Sequence, residues 1–308
     1  MRGRDLLSIT DLSPDELAML LRTALAMKRD GTPQVLAGQT VAMLFEKPSL
    51  RTRVSFEVGM KQLGGSAIYL SQSEVGLGQR EPVKDVARVL SRYVSGIVAR
   101  TYAQQTLHEL AAAADVPVIN ALSDDEHPCQ ALADLLTVTE HKGRLEGIRL
   151  AYIGDGNNVA ASLAVSLAMA GAEFVIASPE GYALPAGIEA EARSRAAKSG
   201  GAIETVTAPE DAVRNADVVY TDVWTSMGQE ASYRARVEAF EAYQVSADLM
   251  ALARPDAIFM HDLPAHRGEE VTEDVIEGAQ SVVFDQAENR LHAQKALMAA
   301  LMSGETIP

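Results

Sequence analysis

Residues 46–57 read E-K-P-S-L-R-T-R-V-S-F-E. Arg51 and Arg53 stand two apart, and the hydroxyls of Ser49, Thr52 and Ser55 surround them. A guanidinium binds phosphate or carboxylate oxygens two bonds at a time, and hydroxyls add further donors. Such a set suits a phosphate-like anion. The start of a helix strengthens it, because the first backbone N–H groups are unpaired and carry partial positive charge. The apolar run 40–45 before the cluster reads as a buried strand, and Val54, Phe56, Val58, Gly59 and Leu63 after it fall at helical spacing. The cluster therefore stands where a strand gives way to a helix. Taken alone, the pattern is equally compatible with solvated arginines paired to Glu46 and Glu57.

A second chemistry-bearing stretch is L-A-Y-I-G-D-G-N-N-V, which runs from strand to helix with Gly154 and Gly156 in the turn. The third glycine of a dinucleotide fingerprint is replaced by Val159, and no acid closes the next strand, F-V-I-A-S-P. Gln130 follows His127 by one helical turn, Arg100 ends the apolar run G-I-V-A-R, and Asp222 follows another, V-V-Y-T. Each has a plainer reading: a helix cap for the asparagines, an N-terminal turn for His127-Pro128, a solvated edge charge for Arg100. Trp224, the single tryptophan, reads as a packing anchor.

These side chains must be positioned by an alternation of strands and helices. Strands are predicted at 40–45, 66–70, 96–99, 116–120, 149–153, 173–177, 203–206, 218–221 and 257–261. Helical patterns fall between them, at 83–93, 107–114, 186–199 and 247–253. This is the signature of parallel sheets with helices on both faces. The alternation pauses at an amphipathic stretch, 130–141, closed by Lys142-Gly143. The expected fold is therefore α/β, two doubly wound parallel-sheet domains joined by long helices. The expected domains are 1–143 and 144–286, with a C-terminal helix at about 287–304 packing back on the first.

Composition bounds the function. The 308 residues suffice for two cores, and 47% hydrophobic with 22% charged residues is ordinary for a globular enzyme. A net charge of −15 argues against general affinity for nucleic acid or anionic membrane, so the arginine cluster is a local device. With Cys129 as the one cysteine there is no intrachain disulfide, and a reducing compartment is expected. The N-terminus M-R-G-R-D-L-L-S-I-T has no apolar stretch of signal-peptide length, which points to a cytoplasmic enzyme.

Five motifs occur in one order: F-E-K-P-S-L-R-T-R-V-S-F-E, H-P-C-Q at 127–130, D-V-W-T-S-M-G-Q-E at 222–230, H-D-L-P-A-H-R-G-E-E at 261–270 and A-E-N-R at 287–290. Over essentially its whole length the chain resembles the ornithine branch of the aspartate/ornithine carbamoyltransferase family. The resemblance implies transfer of the carbamoyl group of carbamoyl phosphate to the δ-amino group of ornithine, giving citrulline and phosphate, in arginine biosynthesis or its reverse. It also implies a catalytic trimer or an assembly of trimers, no metal and no organic cofactor. By the same resemblance, Ser49, the Leu50 backbone, Arg51 and Thr52 match the phosphate turn, and Arg100 and His127 address the carbamoyl oxygen. Gln130 matches the carbamoyl amide contact, and Asp262, Leu263 and Arg290 complete that set. Asn158, Asp222, Ser226 and Met227 match the ornithine contacts, with Gly228 as a hinge for the S-M-G loop.

Three positions depart from the family pattern. Leu50 stands for a threonine, Gly76 for a glutamine in a loop that reaches a neighbouring subunit, and Asp262 for a cysteine beside the reacting amine. A thiol and a carboxylate are not equivalent, since an aspartate is ionised at neutral pH and attracts an ammonium. Other readings remain open at this stage: a carbamoyltransferase for putrescine or lysine, an NAD-dependent dehydrogenase built on G-D-G-N-N, or a non-catalytic relative.

Overall fold

The structure, a computed structural model, describes residues 1–304 apart from Met227 and Gln229, and the side chain of Glu230 is likewise outside the description. The chain forms two compact units, one of Met1–Leu136 with Glu288–Pro308 and one of Thr137–Ala287.

The first unit is built on β1 (Thr40–Phe45), β2 (Ser66–Ser71), β3 (Gly96–Arg100) and β4 (Val118–Leu122), all parallel, in the order β2-β1-β3-β4. Central strands of a parallel sheet are covered on both faces, so their sequences are nearly continuous apolar runs. Accordingly β3 is buried at every residue and β1 at all but Thr40, while the edge strand β2 is partly exposed. The chain leaves β1 toward β2 on one side and leaves β3 toward β4 on the other. The strand order thus reverses between β1 and β3, where open α/β sheets bind ligands at the strands' carboxyl ends. Phe45 and Arg100, the last residues of these two strands, are register partners.

The second unit holds β5 (Arg149–Ile153), β6 (Glu173–Ala177), β7 (Ala202–Val206), β8 (Val218–Thr221) and β9 (Ile258–Met260) in the parallel order β7-β6-β5-β8-β9. Here the reversal falls between β5 and β8. Tyr152 of β5 and Tyr220 of β8 stack at 5.5 Å in the buried centre. Trp224 and Phe240 stack at 6.1 Å in the same unit's core, so the tryptophan is a packing residue.

All nine predicted strands occur, four with the predicted ends and five with an end displaced by one or two residues. β4 starts at Val118 and not at 116 because Pro117 has no N–H for the ladder and serves only as acceptor to Ile97. The helix expected over 83–93 stops at Leu90, where the Ser91 hydroxyl donates back to the Ala87 carbonyl at 2.8 Å. The stretch expected over 247–253 is helical only for Ala247–Met250. Helices Pro128–Lys142 and Val283–Met298 carry the chain from one unit to the other, the latter starting four residues before the predicted 287 and ending in a π turn, Ala299–Ser303. Among the described residues no helix is long and apolar enough to cross a membrane.

Gly156 is required by close packing. A Cβ there would lie 2.4 Å from the Ala183 carbonyl carbon and 2.4 Å from the Leu184 nitrogen, both backbone atoms. Gly156→Ala is expected to destabilise the fold by roughly 1–3 kcal/mol, the usual cost of overpacking. Gly187→Ala, with nothing within 4 Å of its Cβ, is the matched control, and chemical denaturation should separate the two.

Candidate active site

The arginine-rich turn follows β1 and opens helix Leu50–Gln62. Ser49 is its N-cap, in extended conformation, and the Thr52 N–H donates to its hydroxyl at 3.3 Å. Leu50, the first helical residue, is 74% exposed, so it offers its backbone N–H to this site and little else. Arg51 is half-buried in the first turn, whereas Arg53 turns outward to pair with Glu57 at 2.9 Å and to lie over the Tyr69 ring. The two arginines of the motif therefore part ways.

Thr52 gathers residues distant in the chain. Its hydroxyl oxygen receives the Ser49 hydroxyl at 3.0 Å, an Arg100 Nη at 3.4 Å and an Arg290 Nη at 2.6 Å. All four side chains belong to the first unit, and Thr52, Arg100 and Arg290 are buried. A hydroxyl oxygen has two acceptor lone pairs, so three donors exceed its capacity. Two buried guanidiniums crowd one neutral oxygen at the positive end of a helix dipole. The arrangement suits an anion with several oxygens.

His127 and Gln130 lie at the start of helix Pro128–Lys142, and both are buried. The Gln130 amide nitrogen donates to the Asp134 carboxylate at 2.8 Å, which fixes the amide's orientation. Its oxygen is then left buried without a donor among the described residues. Such an acceptor is costly unless a ligand N–H meets it. Cys129 faces the other way: its thiol donates to the Asn120 carbonyl at 3.3 Å, and burial pushes it up to about 12, which leaves it a packing residue.

In the second unit the turn after β5 ends in a helix cap one residue before Asn158. The cap of helix Asn158–Met169 is Asn157, whose side-chain oxygen accepts from Val159 N at 3.0 Å and Ala160 N at 3.1 Å. Asn157 also donates its amide N–H to Asp222 at 2.7 Å. Asn158, the residue singled out from the sequence, is the half-buried first residue of that helix. The signal for Asn157 was present, since two adjacent asparagines both fit a cap; backbone conformation chooses between them.

Asp222 follows β8 and is buried, and its second oxygen accepts from the Val223 N–H at 2.7 Å. Burial and the neighbouring Asp262 carboxyl hold its carboxyl well above the ordinary 3.8, against the opposing pull of His261 and Asn157. Ser226 is half-buried in the segment beyond, and Met227 lies outside the described residues. That segment is tied back by Arg236, which no sequence pattern marked. Arg236 forms an ion pair with Asp155, donates to the Trp224 carbonyl, and lies 4.8 Å from the centre of the Tyr182 ring.

His261 and Asp262 follow β9. The His261 Nε2 meets Glu270 at 3.1 Å, both side chains being fully buried, and its Nδ1 lies 3.4 Å from Asp262. Burial opposes charge on this imidazole, but bonds to Asp262 and Glu270 and the charges of Asp262 and Asp222 raise it to about 9. The Leu263 N–H, however, points at Nδ1 from 2.9 Å, so that nitrogen must stay unprotonated to accept it. The backbone bond works against that rise, and in the neutral imidazole it puts the proton on Nε2, toward Glu270. Leu263 itself sits at φ +58, an unusual conformation for a bulky residue that costs of order 1–3 kcal/mol and concentrates at functional sites.

Gly76, a departure from the family pattern, closes helix Gln72–Val75 at φ +62, and a Cβ there would meet Arg80 Cβ at 2.7 Å. A glutamine would be strained in this turn.

Residues 4–140 match the carbamoyl-P binding domain, and residues 146–301 the Asp/Orn binding domain, of aspartate/ornithine carbamoyltransferase. The chain is 54% identical over 308 residues to an ornithine carbamoyltransferase of Thermococcus kodakarensis, covering 99% of this chain and 98% of that one. It is 52% identical over 300 residues to one of Bacillus subtilis, covering 97% and 94%. The solved ornithine carbamoyltransferase of Pyrococcus furiosus superposes with a TM-score of 0.95 at 51% identity, covering 99% of each chain. An anabolic one from Campylobacter jejuni superposes at 0.94 with 38% identity, covering 99% and 100%.

Proposed function

The chain belongs to the aspartate/ornithine carbamoyltransferase family, and from that premise we propose which of its residues carry the reaction. The chain is a carbamoyltransferase that joins the carbamoyl group of carbamoyl phosphate to the δ-amino group of ornithine. Carbamoyl phosphate is assigned to the first unit and ornithine to the second. The observation that carries the assignment is the crowding of Ser49, Arg100 and Arg290 donors on the Thr52 hydroxyl. A phosphate, with the Ser49–Thr52 N–H groups and Arg51 beside it, relieves that crowding. The Gln130 amide oxygen then accepts from the carbamoyl NH2, and Arg100 and His127 stabilise the carbamoyl oxygen as it gains charge. By the family pattern Asp262 and Leu263 also address carbamoyl phosphate.

On the second unit Asn158, Asp222, Ser226 and Met227 hold the α-amino acid end. The δ-nitrogen lone pair adds to the carbamoyl carbon, the C–N bond forms, and the carbon–oxygen bond to phosphate breaks with its electron pair leaving on phosphate. The bound δ-ammonium gives up one proton to solvent before its lone pair can add, and the second N–H proton, released as the C–N bond forms, leaves with the phosphate. The fixed guanidiniums favour this departure because phosphate leaves with more charge than it had as an ester.

A dinucleotide has less to bind here. Asn157 already occupies the N–H groups that a pyrophosphate would need at the start of Asn158–Met169. The expected assembly is a homotrimer in the cytoplasm. The exposed Leu50, Val54, Val58 and Ile68 on the edge-strand side of the first unit support it, as apolar surface flanking an open edge calls for a cover.

Purified protein supplied with carbamoyl phosphate and ornithine is expected to release citrulline and phosphate in equal amounts while sedimenting as three chains. Putrescine and lysine should serve poorly, and NAD(H) fluorescence should not change. Preferred turnover of putrescine or lysine would overturn the ornithine assignment.

A further inference from the structure

β8 and β9 pair in register with Tyr220 opposite Met260, and two residues further along each chain stand Asp222 and Asp262. Continuing that register past the strand ends sets the two carboxyls side by side. Asp222, His261 and Asp262 each place one side-chain atom within 4.8 Å of the others, with Asp222 and His261 buried and Asp262 half-buried. Two ionised carboxylates this close in a buried site repel each other, which favours one proton on the pair. Asn157 and the Val223 N–H donate to Asp222, while His261 beside Asp262 has its Nδ1 taken by Leu263 and its Nε2 by Glu270.

We propose that Asp222 and Asp262 form a pair that holds one shared proton in the unliganded protein and releases it when a diamino acid brings its second ammonium. The proposal rests on the ornithine reading above. Its balance is simple: pair and proton plus ornithine's two ammoniums give two carboxylates facing two ammoniums, with the proton passed to solvent. An α-amino acid of the same length without the δ-amine, norvaline, supplies only one ammonium and leaves the shared proton in place. The pair therefore reads the δ-nitrogen by its charge. It exists in this chain because Asp262 stands where the family pattern has a cysteine. Burial, which raises the Asp222 carboxyl, supports the same assignment.

The test is difference infrared spectroscopy on the whole protein at pH 7. The unliganded protein should carry the C=O stretch of a protonated carboxyl, shifted in heavy water. Saturating ornithine should remove it, and norvaline should leave it. Asp262→Asn should lack the band from the outset, which separates the pair from Asp155, a half-buried carboxyl held by Arg236. Absence of the band in the unliganded protein, or its survival under ornithine that binds by calorimetry, overturns the proposal. The wild-type arm alone decides this if the variant fails to fold. Citrulline formed while the band survives sinks only the exchange, whereas neither heat of binding nor citrulline sinks the ornithine reading with it.

Discussion

Arg100→Ala is expected to lower kcat by roughly 10²–10³-fold, the loss that follows removal of one donor from a site of developing negative charge. Arg100 closes β3, is buried, and reaches Thr52 beside Arg290 at the start of Leu50–Gln62. Both the carbamoyl oxygen and the leaving phosphate become more negative as the reaction proceeds, so this cation acts more on the transition state than on the bound substrate. The loss should therefore fall mainly on kcat, with a smaller rise in KM for carbamoyl phosphate and none for ornithine. Steady-state kinetics with each substrate varied in turn reads the split. Equal rises in both KM values with kcat intact would assign Arg100 to holding the turn alone. The strand and its register partner Phe45 should survive the change, since the guanidinium sits past the sheet's apolar centre.

Asp222→Asn should raise KM for ornithine while leaving carbamoyl phosphate untouched. Truncating one partner of a buried, hydrogen-bonded charge pair costs roughly 2–5 kcal/mol, and each 1.4 kcal/mol is about tenfold in affinity. The stability effect has the opposite sign. The folded-state carboxyl lies above the ordinary 3.8, chiefly through burial and then through Asp262. The folded chain thus holds a proton that the unfolded chain gives up. This carboxyl costs stability once pH exceeds 3.8, and the cost grows until pH passes the raised value. Asparagine removes the cost. The variant should melt higher than its parent at neutral pH, with the gap closing as pH falls toward 3.8. Melting curves for both proteins across that range check it, and a variant that melts lower at every pH would mean Asp222 is held by contacts that its charge does not penalise.

Much of this protein was legible before any coordinates. The strands were, because a strand covered on both faces must be an uninterrupted apolar run, and V-A-M-L-F or G-I-V-A announces itself. So was the place of Ser49–Thr52 at a strand-to-helix junction, because an apolar run followed by helical spacing is a local fact. Helix ends were less so: Ser91 halting Val83–Leu90 depends on a side chain choosing the Ala87 carbonyl. Between Asn157 and Asn158 the choice rests on Asn157 being extended, at φ −78 and ψ −169, a backbone fact that two identical residue types cannot disclose.

What the sequence by itself determined was the alternation of elements, the arginine-bearing turn at a strand-to-helix junction and the substitution at Asp262. Tertiary structure alone decided the neighbours. It set β3 and not β2 beside the reversal of strand order, brought Arg290 to Thr52 across 238 positions, and laid Asp222 against Asp262 through the pairing of β8 with β9. The physical reason is that residue type and spacing govern what a short segment can bury or bind. Which segments lie together is settled by closing two sheets over their cores, and no local pattern encodes that closure.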